Sequence, residues 1–183
     1  MPRISALNIA DAPAAAQPLL EAVGKKLGMV PNLFKTFAHS PAVLQYYLAG
    51  SEALGTGALT PALREQIALV TAGANECDYC ASAHSLMGKG AGVQVDELAD
   101  NLRGRSANAR TQAALDFAAT VVKHRGRVSD AQLQAVRDAG FSEGEVVEIV
   151  AHVAANIFTN YFNHIAGTVI DFPVVRSAAP VQA

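Results

Sequence analysis

Apolar positions recur along the chain at intervals of three and four: Leu115, Ala118, Ala119 and Val122, then Val146, Ile149, Val150, Val153, Ile157, Tyr161 and Ile165. That is the period of one helical face. No short run alternates apolar with polar between turn signals, and no hairpin dipeptide separates two such runs, so strands are not predicted. Punctuation sharpens the reading. Ser40-Pro41 and Thr60-Pro61 each set an N-cap residue before a proline at the first helical position, where its missing N–H costs nothing. Ser129 with Gln132 and Ser142 with Glu145 form capping boxes, each beside an apolar pair, Val128 with Leu133 and Phe141 with Val146, placed as a hydrophobic staple. Gly140 suits a helix C-terminal cap. The chain is therefore predicted all-α, with helices over 13–27, 32–38, 41–54, 61–74, 76–88, 94–101, 108–124, 130–139 and 143–167. The tail, 174–183, has little to pack and is expected on the surface or on a neighbouring subunit.

Composition narrows the class. With 183 residues, 51% hydrophobic and 16% charged, the chain is expected to fold as one domain, 1–183, rather than stay disordered. A formal net charge of −2 leaves no basic surplus for a phosphate backbone, so nucleic acid is not an expected partner. The most apolar stretch, from Val146 to Phe158, contains Glu148, His152 and Asn156, and falls short of the roughly 20 apolar residues a bilayer span needs. The N-terminus shows no continuous apolar signal region, and a cytoplasmic address is the expectation. The glycines around Gly88-Lys89-Gly90-Ala91-Gly92 follow a helix rather than a strand and read as a helix stop, not a phosphate loop.

The candidate chemistry lies between Arg64 and His84. Gly73 suits a helix end and Asn75 with Asp78 a new N-cap, so the chain is predicted to reverse there as a helical hairpin. An unbroken helix would hold Glu65 and His84 nearly 30 Å apart, whereas a hairpin brings them to one level. On its second helix Cys77, Cys80 and His84 stand at i, i+3 and i+7, on one face. Helical i, i+3 spacing lets two thiols open and close a bond without refolding. Cys77 lies where the helix dipole favours a thiolate; Cys80 has His84 one turn away as a base and Glu65 to orient it. Two blander readings stand beside this: a pair of small packed hydrophobes, or three ligands of a zinc site without a fourth. On the last helix His152, Asn156 and Asn163 form a polar stripe, expected to be a solvated or subunit-facing side, with pocket lining as the alternative. His39, His124 and His164 are expected as surface or capping residues. Phe34, Phe37, Tyr46, Tyr47, Phe158 and Phe162 are expected to pack a core rather than line a pocket.

Glu65, Cys77, Cys80 and His84 at these spacings resemble the core motif of the AhpD-like alkylhydroperoxidases in the carboxymuconolactone decarboxylase-like superfamily. The resemblance runs from about Ser40 to His124, and the segment from Asn163-His164 to Asp171-Phe172-Pro173 resembles the peroxidase-related subset. It implies an all-α fold, a homo-oligomer (trimer or hexamer), and reduction of organic hydroperoxides by a redox-active Cys77-Cys80 disulfide. A lipoyl-bearing or thioredoxin-like dithiol would be the reductant, with no other cofactor and no metal. It also implies Cys80 as the peroxidatic thiol, Cys77 as the resolving one, His84 as base and Glu65 as its relay partner, with Tyr79 where the best-known members carry a histidine. A redox sensor or general disulfide oxidoreductase, or a lactone decarboxylase of the same superfamily, are the alternatives.

Overall fold

The computed structural model describes residues 1–177. Among them there is no strand, and the elements follow the predicted punctuation closely. A single 3-10 turn, Ile9–Asp11, precedes α1 (Gln17–Leu27), α2 (Asn32–Phe37), α3 (Pro41–Gly55), α4 (Pro61–Ala74), α5 (Asp78–Gly90), α6 (Val95–Leu102), α7 (Ala109–His124), α8 (Asp130–Asp138) and α9 (Glu143–Ala166). Ser40 and Thr60 cap as expected, accepting the N–H of Val43 and Leu63. Both capping boxes close, Ser129 with Gln132 and Ser142 with Glu145. Gly140, at φ 87°, ends α8 in the left-handed conformation that glycine adopts freely. The first helix starts later than its apolar pattern suggested. Residues 13–16 form a turn closed by the Ala16 N–H on the Pro13 carbonyl, and Pro18, which has no N–H to return to residue 14, is accommodated only in the first turn of α1.

The chain divides into two compact units. One comprises Met1–Thr56 with Phe162–Asp171. Its core is aromatic: Phe37 is buried, 4.6 Å from Phe162 and 5.5 Å from Tyr47 between ring centres. The aromatic residues of this unit thus pack a core, with Tyr46 the exception at 71% exposure. Asp171 accepts the Asn32 N–H at 2.7 Å, closing the start of α2, where Pro31 has no side chain to do so.

The other unit holds Gly57–Tyr161 and the closing segment from Phe172. Leu63, Ile67 and Val70 of α4 meet Leu115, Ala118 and Val121 of α7 and Ile149 and Val153 of α9 in one apolar cluster. Two glycines set helix spacing. A Cβ at Gly73 would run into the Leu102 carbonyl oxygen, and one at Gly88 would lie 2.5 Å from Leu98 Cδ2. Gly73 is therefore a close-approach residue in the last turn of α4, which ends at Ala74, the predicted boundary. Up to Ser177 the closing segment stays at the surface, with Val174 and Arg176 exposed, and is fastened there to α5 through hydrogen bonds to Asp78 and Ser82. The remainder of the predicted surface tail, 178–183, lies outside the described residues.

Candidate functional site

α4 and α5 form the expected hairpin, and its turn is built from three residues. Asn75 closes α4 with its N–H on the Thr71 carbonyl, Glu76 takes a left-handed φ of 55°, and the Cys77 N–H returns to the Ala72 carbonyl at 2.9 Å. The N-cap of α5 is Cys77, not Asn75: its sulfur accepts the Cys80 N–H at 3.3 Å. Both residues favoured by sequence as caps are engaged elsewhere. The Asn75 amide donates to Asn160 Oδ1 of α9 at 3.0 Å. Asp78 accepts from the Arg176 guanidinium at 2.6 Å and from the Ser177 N–H and hydroxyl at 2.8 and 2.7 Å.

This cap places the sulfurs of Cys77 and Cys80 2.6 Å apart as two free thiols, 1% and 2% exposed. The hydrogen bond that Cys77 donates to Cys80 and the burial of the pair push the Cys77 thiol far above its ordinary range, outweighing the Cys80 amide, which acts the other way. That direction runs against the sequence expectation of a thiolate favoured by the helix dipole at Cys77. Its proton points at the Cys80 sulfur, where a donated hydrogen bond stabilises negative charge.

One turn on, His84 Nδ1 lies 2.8 Å from Glu65 Oε2, the partners 16% and 22% exposed at their side chains. Burial alone would lower the imidazole, but the bond and charge of Glu65, the Cys80 sulfur and a hydrogen bond with Asn156 together raise it. Asn156 donates its amide N–H to the His152 carbonyl at 2.8 Å, which leaves its oxygen to face His84. Glu65, Cys77, Cys80 and His84 are thus brought together by α4 and α5, and Asn156 joins them from α9.

The polar stripe of α9 corrects the sequence reading. Rather than a solvated side it is an inward ladder at four-residue intervals. Glu148 accepts the Ala58 and Leu59 N–H groups ahead of α4 at 2.9 and 3.1 Å. Asn156 reaches His84, and Asn160, fully buried, meets Asn75 at the hairpin turn. Gly57 makes room for the Glu148 carboxylate, since a Cβ there would collide with it. Helical period identified the stripe, but period alone is blind to whether a polar face meets water or a polar partner.

Tyr79 is buried with its ring edge-on to Phe172, the centres 5.6 Å apart. His39, His124 and His164 are exposed, as expected. Sequence reasoning missed Glu148, Asn75 and Asn160, whose partners lie 85 or more residues away. Among the described residues, no group of three His, Cys, Asp or Glu side chains is placed to hold a metal ion. No helix there is long and apolar enough to cross a membrane.

No curated protein matches the sequence. Residues 41–123 match the carboxymuconolactone decarboxylase family. Among solved structures, an uncharacterized peroxidase-related protein from Ralstonia eutropha JMP134, described as an alkylhydroperoxidase AhpD core, is 30% identical over 93% of this chain and 92% of that one, with a TM-score of 0.83. A peroxidase-related protein from Silicibacter sp. TM1040 is 27% identical, with a TM-score of 0.81 over 91% and 92%. The debrominase Bmp8, solved in complex with 2,3,4-tribromopyrrole, shares the fold at 21% identity and a TM-score of 0.79, over 92% and 91%. The extended likeness to the Ralstonia protein, together with the family match over the helices that hold the dithiol, establishes that the chain belongs to the AhpD-like members of the carboxymuconolactone decarboxylase superfamily.

Proposed function

We propose that the protein is a dithiol peroxidase that reduces organic hydroperoxides at Cys80. The observation that supports this best is the thiol pair beside a Glu65-bound imidazole, 2.6 Å between sulfurs and 2.8 Å between His84 and Glu65. His84 accepts the Cys80 proton and, held by Glu65, is stabilised as the imidazolium beside the thiolate. The thiolate attacks one peroxide oxygen. The O–O bond breaks, Cys80 becomes a sulfenic acid, and the departing alkoxide takes the His84 proton to leave as the alcohol. Cys77 then condenses with the sulfenic acid: its sulfur bonds Cys80, and its proton leaves with the hydroxyl as water. An external dithiol, lipoyl-bearing or thioredoxin-like, attacks the disulfide and restores both thiols while it is itself oxidised.

A homo-oligomer of trimeric or hexameric size and a cytoplasmic address, whose reducing thiol pool would keep the pair open, belong to the same reading. Val147, Val150 and Tyr161, apolar and exposed on α9, support association. The test is a free-thiol count with product mass before and after a single equivalent of cumene hydroperoxide. Loss of both thiols and of two hydrogens within seconds is the expected result; thiols that persist for minutes would exclude peroxide reduction.

A further inference from the structure

The ladder of α9 has one rung without a partner. Glu148 is bound to the Ala58 and Leu59 amides, Asn156 to the His152 carbonyl and His84, and Asn160 to Asn75. His152, between the first two, keeps part of its ring at the surface while its Nε2 is buried and has no hydrogen-bond partner among the described residues. The tip of the ring therefore points inward. His152 stands one turn before Asn156, which donates to its carbonyl, and the charges that act on its ring are those of Arg64 and Glu65 of α4, His84 of α5 and Glu148 of its own helix.

We infer that His152 is the oxygen-binding residue of the site: its Nε2 takes the hydrogen bond of the hydroperoxyl or hydroxyl group of the molecule attacked at Cys80. This rests on the peroxidase reading. A buried ring nitrogen left without a partner is costly, and native proteins keep such an atom where something else completes it. Glu148, Asn156 and Asn160 each hold a partner within the protein, and although Asn160 Nδ2 at the hairpin turn is also left over, His152 is the one of these four rungs whose side chain has no partner. Its surroundings also suit a neutral ligand. Burial and the positive Arg64 and His84 hold the ring below its ordinary value, against the pull of Glu148 and Glu65. A neutral imidazole presents one donor and one acceptor, and so matches an O–H group in either sense. His84 and His152 thus divide the work: the first exchanges protons with sulfur and alkoxide, the second holds the oxygen.

The test compares His152→Phe, which keeps the ring without its nitrogens, with His152→Gln, which keeps a polar atom at similar reach. Cys80 oxidation is followed at rising cumene hydroperoxide, and Cys80 alkylation by iodoacetamide across pH reports thiolate formation separately. The expected result is oxidation about tenfold slower in His152→Phe, as one lost hydrogen bond gives, with the alkylation profile unchanged and His152→Gln within about threefold of wild type. Wild-type oxidation in His152→Phe, or an equal loss in alkylation, would overturn the assignment. Cumyl alcohol titrated into wild-type protein with nitrogen-15 histidines gives a second reading that needs no turnover. A saturable shift of the His152 Nε2 resonance supports the oxygen site even if peroxide reduction fails, and no shift overturns it.

Discussion

Two faces of α5 do different work although their residues alternate in sequence. Cys80 and His84, with Cys77 above them, share one face and meet Glu65 and Asn156. Asp78 and Ser82 lie on the other, where the closing segment is fastened: Ser82 Oγ accepts the Val175 N–H at 2.9 Å, and Asp78 holds Arg176 and Ser177. The first face joins reactive groups to one another with few bonds to spare. The second spends its polar groups on fixing the helix. A period of 3.6 residues separates the two faces without a break in the helix, so the anchor at Asp78 stands two residues from Cys80 and yet on another side of α5.

The sharpest way to break this division is one substitution on each face. Cys80→Ser should abolish peroxide consumption, whereas Asp78→Ala should keep it within about threefold while lowering stability by about 1 kcal/mol, the worth of partly exposed charge-assisted bonds; thiol counts and urea unfolding measure the two. Should Asp78→Ala match Cys80→Ser in lost activity, the faces are not independent. Next in size is Gly88→Ala, whose Cβ meets the movable end of Leu98. It should cost about 1–2 kcal/mol by overpacking, read as a lower urea midpoint with an unchanged slope. Glu65→Gln acts on the reactive face alone. It removes the charge that raises His84, so the pH profile of Cys80 alkylation should change shape while the unfolding free energy from urea titration changes by less than about 1 kcal/mol.

The smallest effect sets the two faces at opposite ends of the pH scale. His84 is raised in the folded protein, so its contribution is complete below the ordinary imidazole value of about 6.5 and is lost as pH rises through the raised one. Burial alone would raise Asp78, but the Ser177 amide, Arg176 and the Ser177 hydroxyl lower it. Its contribution is present above the ordinary carboxyl value and is lost as pH falls through the lowered one. Unfolding of His84→Gln should therefore lose part of the alkaline slope, and that of Asp78→Ala part of the acid slope. A slope unchanged in both would remove these groups from the linkage.

Helix existence and the hairpin were legible because their signals are local. A Ser-Pro or Thr-Pro start, a capping box or a left-handed glycine acts within four residues of itself. The grouping of Glu65, Cys77, Cys80 and His84 followed from spacing once the reversal near Asn75 was placed. What escaped was set by distant partners. Asn75 looks like a cap, yet Asn160 claims its amide, and the cap passes to Cys77, a residue type outside the usual preference. Gly73 reads as a helix end and stands in the last turn of α4, but the close approach of the Leu102 carbonyl is not written around it. Likewise nothing within α9 says that its polar stripe faces inward, since that depends on what the hairpin presents to it.

The cap formed by Cys77 has a spectroscopic consequence. The amide of Cys80 rests on the very sulfur that would change partner on oxidation. Joining that sulfur to Cys80 alters the acceptor beneath this one N–H while the neighbouring helix amides keep theirs. Its proton shift and exchange rate should follow the redox state of the pair, giving the protein an internal gauge, readable without label or substrate, of how much of a sample is oxidised.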